Sequence, residues 1–165
     1  MPDVEELVSG DPLSVAVENA TRKAQAVLRA AGARSASPVL GVDTVVVLDG
    51  AVYGKPADAA AARAMLAALG GRAHEVISGI AVAAGGEVRT ASATTRVRFR
   101  PLADDLLDWY LATGEWRERA GGYAIQGKGA ALVAGIEGDY LNVVGLPVSA
   151  LLELVPGILQ RDARA

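Results

Sequence analysis

The sequence predicts a single α/β domain, and three observations lead there. Apolar runs rich in β-branched residues alternate along the chain with alanine- and leucine-rich segments of helical period. Two tight reversals, Asp49-Gly50 and Gly85-Gly86, each sit between strand-like runs. No linker or internal repeat divides the 165 residues, a length that suits one domain with a substantial core.

The elements follow in order. Residues 11–31 read as a helix that Asp11-Pro12 opens, with Val15, Ala16, Asn19, Ala20, Lys23 and Val27 at helical spacing. Pro12 suits the first turn, where its missing N–H is not needed. Gly32 stops this helix, and Ser35-Ala36-Ser37-Pro38 forms a short loop. A hairpin over 40–55 turns at Asp49-Gly50, since both central positions of a type I′ turn need positive φ. That turn sets Leu48 opposite Ala51 and, counting outward, Thr44 opposite Lys55. Asp43 and Lys55 then share one end of the hairpin in adjacent strands, about 5 Å apart. A carboxylate and an ammonium at a buried sheet end are costly unless something uses them. They form either a working pair or a structural ion pair closing the hairpin, and local spacing leaves both open.

Asp58 caps an alanine-rich helix that ends at Leu69 and is closed by Gly70-Gly71. Residues 74–84 and 87–99 form a second, longer hairpin, and a helix follows from Ala103 to about Thr113. The segment from Tyr123 to Val144 is glycine-rich with short β-prone runs, and Pro147 starts a final helix. The domain is expected over 1–158, with 159–165 as a loose tail.

Composition narrows the chemistry. Hydrophobic residues make up 52% of the chain and aromatics only 4%, which predicts an aliphatic, closely packed core. With no cysteine, disulfides, thiolate metal sites and cysteine nucleophiles are excluded. His74 is the only histidine, so zinc held by histidines is not expected, and no Gly-x-Ser-x-Gly elbow accompanies it. His74 itself reads as a polar group at a strand edge. The net charge of −3 offers no basic stripe for a nucleic-acid polymer. Arg96, Arg98 and Arg100 alternate with Val97 and Phe99 and read as a solvated outer face that blocks edge-to-edge pairing. No stretch approaches the ~20 apolar residues that span a bilayer, and the N-terminus is acidic rather than signal-like. A cytoplasmic protein without membrane contact is expected.

Of sixteen basic residues only three are lysines: Lys23, Lys55 in Gly54-Lys55-Pro56, and Lys128 in Gly127-Lys128-Gly129. Lysine is a compact charge that suits phosphate oxygens, so this distribution gives mild support to a polyphosphate pocket. The run Gly122 to Gly129 nearly spells a P-loop, but glycine stands where that motif needs a hydroxyl. The following Ala130-Ala131-Leu132-Val133 looks more like a strand than the required helix, and the P-loop is rejected. The glycines still permit backbone N–H groups to approach an anion or a base edge. Gln126 offers a donor and an acceptor, as needed to read a pyrimidine edge, or is an ordinary turn glutamine.

Taken together, Val42-Asp43-Thr44, Gly54-Lys55-Pro56, the block Leu69 to Gly79, the block Ala120 to Gly127 and the block Gly138 to Pro147 resemble the Maf family of nucleoside triphosphate pyrophosphatases. The blocks keep the family's order from about residue 17 to 155. The resemblance implies a Maf/ITPase-like fold, a mixed α/β domain with an elongated twisted sheet flanked by helices and a central cleft. It implies cleavage between the α and β phosphates to give a monophosphate and pyrophosphate, with Mg²⁺ or Mn²⁺, in a homodimer. Tyr123-Ala124-Ile125-Gln126-Gly127 is similar to the branch acting on dTTP and UTP. Position by position, Asp43 matches the proton acceptor, and Thr44 and Gln126 match positions tied to substrate selection. Lys55 and Lys23 match phosphate-binding lysines. Arg119 stands where the family often has lysine, and Glu6, favoured over Glu5, matches an acidic residue that would hold the metal.

One departure stands out. Members of the family open with a strand and a Ser-x-Ser-Pro-Arg-Arg loop, and this chain begins at Met1-Pro2-Asp3-Val4-Glu5-Glu6, downstream of it. Ser35-Ala36-Ser37-Pro38 lacks the two arginines and is not that loop. The expectation is either an upstream start or loss of a strand and two cationic phosphate ligands, exposing a sheet edge and weakening triphosphate binding. The rival readings are a catalytically weakened nucleotide-binding or regulatory protein linked to septum formation, and a generic α/β ligand-binding domain.

Overall fold

The computed structural model describes residues 4–31 and 37–159. Helix α1 (Pro12–Ala31) leads to the hairpin β1 (Val39–Leu48) and β2 (Ala51–Tyr53). Helix α2 (Ala59–Leu69), the long hairpin β3 (Ala73–Ala84) and β4 (Glu87–Phe99), and α3 (Asp104–Thr113) follow. Strand β5 (Val133–Glu137) and the short helices α4 (Tyr140–Val144) and α5 (Val148–Leu154) complete the described chain. The five strands form one antiparallel sheet in the order β2-β1-β3-β4-β5. The Gly32 stop, residues 35 and 36 of the 35–38 loop and the tail from residue 160 fall outside the described residues.

Local signals explain most boundaries. Asp11 accepts the Ser14 amide at 3.0 Å and so caps α1. Asp58 accepts the Ala61 amide at 2.7 Å and caps α2. Asp49 and Gly50 both have positive φ (52° and 79°), as the predicted two-residue turn demands. Two segments differ from expectation. Lys128–Leu132, read partly as strand, is a 3₁₀ turn, and β5 starts only at Val133. Helix α4, unrecognised in the glycine-rich stretch, is a single short helix capped by Asp139, whose carboxylate accepts the Leu141 amide.

The sheet divides two cores, and residue parity along each strand decides which core a side chain enters. Odd-numbered residues of β1 and β3 face α1: Val45, Val47 and Ile77 pack on Val15 and Ala16, while Ala81 and Ala83 meet Ala20 and Ala24. This seam is thin. A Cβ on Gly79 would overlap the backbone of Ala16, and one on Gly41 the backbone of Ala20, so α1 lies directly on the strands. Even-numbered residues of β1 and β3 face the main core, where Val46, Leu48 and Val76 close with Val97 and Phe99 of β4 and with Leu66, Leu69, Leu107 and Tyr110. Arg96, Arg98 and Arg100 are exposed, as expected for an outer face, but they guard no sheet edge: Arg96 and Arg98 pair with Glu137 and Gly135 of β5.

The β1–β2 register is as predicted, with Leu48 opposite Ala51, but the ladder has only three pairs and ends at Val46 and Tyr53. Thr44 and Lys55 are therefore not cross-strand partners. The cause lies downstream: the carbonyl of Gly54 accepts the amide of Gly121 at 3.0 Å instead of continuing the ladder. Along Val39–Val45, β1 thus pairs with β3 on one side and with no strand on the other among the described residues.

Candidate active site

Because β2 ends early, the side of β1 around Asp43 opens onto a cleft of about 340 Å³. Lys23, Asp43, Thr44, Lys55, Arg119, Tyr123 and Gln126 all line it, with Val143, Val144 and Gly145 closing the far wall. Residues on both faces of β1 reach this space, which a fully paired strand would not allow. Glu6, Asn19, Asp43 and Lys55 also border a smaller adjoining hollow of about 150 Å³. The structure brings six of the seven sequence-predicted residues into the main cleft and sets Glu6 beside it.

Asp43 is 8% exposed and projects toward α1. Its partner is not Lys55, as the hairpin count suggested, but Lys23: the ammonium lies 2.5 Å from Asp43 Oδ1 and 2.7 Å from Glu6 Oε1. The Lys23 bond holds the Glu6 carboxyl below its ordinary range despite partial burial. Burial works against the charge on Lys23, but its bonds to Asp43 and Glu6 outweigh that and raise its pKa. Lys55 extends from the loop after β2, half exposed, and its Nζ is 3.9 Å from Glu118 Oε2. So loose and exposed an ion pair leaves Lys55 available to an anion.

Thr44 points to the opposite face, where its Oγ1 is 2.8 Å from Ser78 Oγ. Ser78 also reaches the Asn142 carbonyl at 3.4 Å, which ties the Thr44 hydroxyl to α4 and the far wall. Below the cleft, Tyr123 is held by His74, with Tyr123 Oη 2.9 Å from His74 Nε2. His74 is 2% exposed, sandwiched edge-on between Phe99 and Tyr123, and is not the strand-edge polar group expected. Burial pushes its pKa down to about 4, so the imidazole is neutral at neutral pH. The same burial raises the Tyr123 phenol above its ordinary value.

Other expectations fail on geometry. The glycine turn 127–129 does not offer free amides: Gly127 N–H bonds to the Ala124 carbonyl and Gly129 N–H to the Glu115 carboxylate. Lys128 is exposed and does not line the cleft. Two of the three lysines reach the site, not all three.

Sequence reasoning placed Asn19 on the buried face of α1 but gave it no role. It is 2% exposed and donates to Asp43 Oδ2 at 3.1 Å. An amide among Val15, Ala16 and Ala20, four residues before Lys23, is the available signal. Ser78 carried no comparable signal.

A family model described as "Maf-like protein" matches residues 1–158. A dTTP/UTP pyrophosphatase of Symbiobacterium thermophilum is 48% identical over 158 residues, covering 94% of this chain and 79% of that protein. One of Moorella thermoacetica is 54% identical over 138 residues, covering 82% of this chain and 70% of the other. One of Pyrococcus furiosus is 49% identical over 117 residues, covering 71% of this chain and 62% of that protein. The matched region thus spans somewhat less than two thirds of the Pyrococcus relative's length.

Proposed function

The chain belongs to the family of Maf-like proteins, and from that membership we propose that it hydrolyses pyrimidine nucleoside triphosphates to the monophosphate and pyrophosphate. dTTP and UTP are the expected substrates, with modified pyrimidine nucleotides beside them. The observation that carries this reading is the convergence of one buried acid, two lysines and two polar side chains suited to nucleoside contacts, Thr44 and Gln126, on a single cleft.

The reaction needs a water in line with the leaving group, a proton acceptor and neutralisation of phosphate charge. Asp43 is the acceptor: it lines the cleft, its Oδ atoms held by Lys23 and Asn19, each with a lone pair to spare. The water oxygen attacks the α-phosphorus, its proton passes to Asp43, and the α–β bridging P–O bond breaks to release pyrophosphate. Lys55, Lys23 and Arg119 hold the phosphate oxygens, which is mostly electrostatic work. Thr44, fixed by Ser78, and Gln126 orient the nucleoside.

A divalent cation fits the donor set. Glu6 and Asp43 already converge on one cation, the Lys23 ammonium, and carboxylate oxygens are the ligands Mg²⁺ and Mn²⁺ take. These two carboxylates would hold the ion. Phosphate oxygens and water would complete its shell. When bound, the cation neutralises phosphate charge and acidifies water.

Pyrophosphate release from dTTP and UTP in the presence of Mg²⁺ or Mn²⁺ tests the proposal; no release above background would end it. The relatives named above are all pyrophosphatases, which leaves the septum-linked regulatory reading without support. A cytoplasmic homodimer belongs to the same proposal and rests on the family alone. No helix among the described residues is long and apolar enough to cross a membrane.

A further inference from the structure

Asn19 uses its whole amide within the fold. Its Oδ1 accepts the Leu7 N–H at 2.8 Å, while Nδ2 donates to the Leu7 carbonyl at 3.0 Å and to Asp43 Oδ2 at 3.1 Å. One side chain therefore joins three separate parts of the site: α1, the acid on β1, and the N-terminal segment that carries Glu6. With Lys23 on Oδ1 and Asn19 on Oδ2, both oxygens of Asp43 are held and its carboxylate plane is set.

Packing alone does not call for this residue. Elsewhere α1 meets the sheet through Val15, Ala16, Ala20 and Ala24, and leucine would fill a similar volume. A buried amide is costly unless it is bonded, so its presence here points to the bonds it makes. An amide also does not titrate near neutral pH. It orients the carboxylate without competing for the proton that Asp43 would take.

We infer that Asn19 is a positioning residue for the hydrolysis proposed above, holding Asp43 in the orientation that accepts the water's proton and docking the segment that bears Glu6. The inference rests on the pyrophosphatase reading. Two variants separate its parts. Asn19→Leu keeps volume and removes every bond. Asn19→Asp keeps the acceptor for the Leu7 N–H but loses both donated bonds.

With rates corrected for the folded fraction, both variants should lower kcat for dTTP by on the order of tenfold to a hundredfold. KM should stay within about twofold, because Lys55 and Gln126 are untouched. A purely structural role would lower the amount of active protein without this split. Unchanged kcat in Asn19→Leu, or full kcat in Asn19→Asp, overturns the inference. If neither variant folds, the side-chain amide of Asn19 in the wild type reports instead by NMR. Its proton facing Asp43 should shift when Asp43 is replaced by Asn, and no shift overturns the assignment. Absence of pyrophosphate release by the wild type would remove the pyrophosphatase reading itself, while the amide shift would still record the contact.

Discussion

Lys23 Nζ stands between two carboxylates, 2.5 Å from Asp43 and 2.7 Å from Glu6, where it acts as the resident cation of the cleft. That position sets it in competition with any divalent ion taken by the same oxygens. Replacing it with methionine, which keeps most of the stem, should tighten Mn²⁺ binding in the absence of nucleotide by about tenfold, or 1.4 kcal/mol. KM for dTTP should rise, since a phosphate ligand is lost. Electron paramagnetic resonance of Mn²⁺ reads the first effect; unchanged or weaker Mn²⁺ binding would mean that these carboxylates do not hold the ion.

Asp43→Asn keeps size and leaves Lys23 paired with Glu6. Turnover of dTTP should fall by at least about a hundredfold, the usual worth of a general base. The melting temperature should stay within a few degrees of wild type. Retention of pyrophosphate release at near wild-type rate would remove Asp43 from the acceptor role.

Gly79 faces Asp43 across the β1–β3 ladder and lies under the backbone of Ala16. Gly79→Ala forces α1 outward by the width of a methyl group, at a cost of about 1–3 kcal/mol. The same shift draws Asn19 and Lys23 away from Asp43, so kcat should drop even in the fraction that remains folded. Chemical denaturation together with kinetics on the folded protein tests this; a stable variant with normal kcat would show that the spacing of α1 is not critical.

His74 gives a pH signature of stability. Its imidazole takes a proton near 6.5 in the unfolded chain but only near 4 in the folded one. Between those values the unfolded state binds the extra proton, so His74 destabilises the fold as pH falls through the window, by up to about 1.4 kcal/mol per unit. Above pH 6.5 it contributes nothing to the slope. His74→Gln, which can still bond Tyr123, should flatten the decline in unfolding free energy between pH 6.5 and 4. Parallel slopes for the two proteins would show that the imidazole is not held neutral.

What the sequence could show was local. The Asp49-Gly50 turn fixed the register of its neighbours, because turn geometry dictates the first pairs. It could not show where the ladder ends, which depends on Gly121 capturing the Gly54 carbonyl from more than sixty residues away. For that reason turn counting sets Asp43 beside Lys55, whereas in the fold Lys23 holds it. Asp43, Lys55 and Gln126 were legible as motif residues, whereas Asn19 appeared only as a polar gap in an apolar stripe. The burial of His74 has no local signature, because its partners, Phe99 and Tyr123, reach it through tertiary folding. Lys128–Leu132 and α4 are five residues each, too short for periodicity to separate turn, helix and strand.

Strand β1 presents an acid to one core and a hydroxyl to the other from adjacent positions, and nine consecutive pairs with β3 keep them so. A slip of one residue would exchange the two, turning Thr44 toward Lys23 and Asp43 toward Ser78. The backbone ladder is thereby part of the chemistry, although none of its atoms touches substrate. Keeping this one strand in register is therefore as necessary to the site as the side chains it carries.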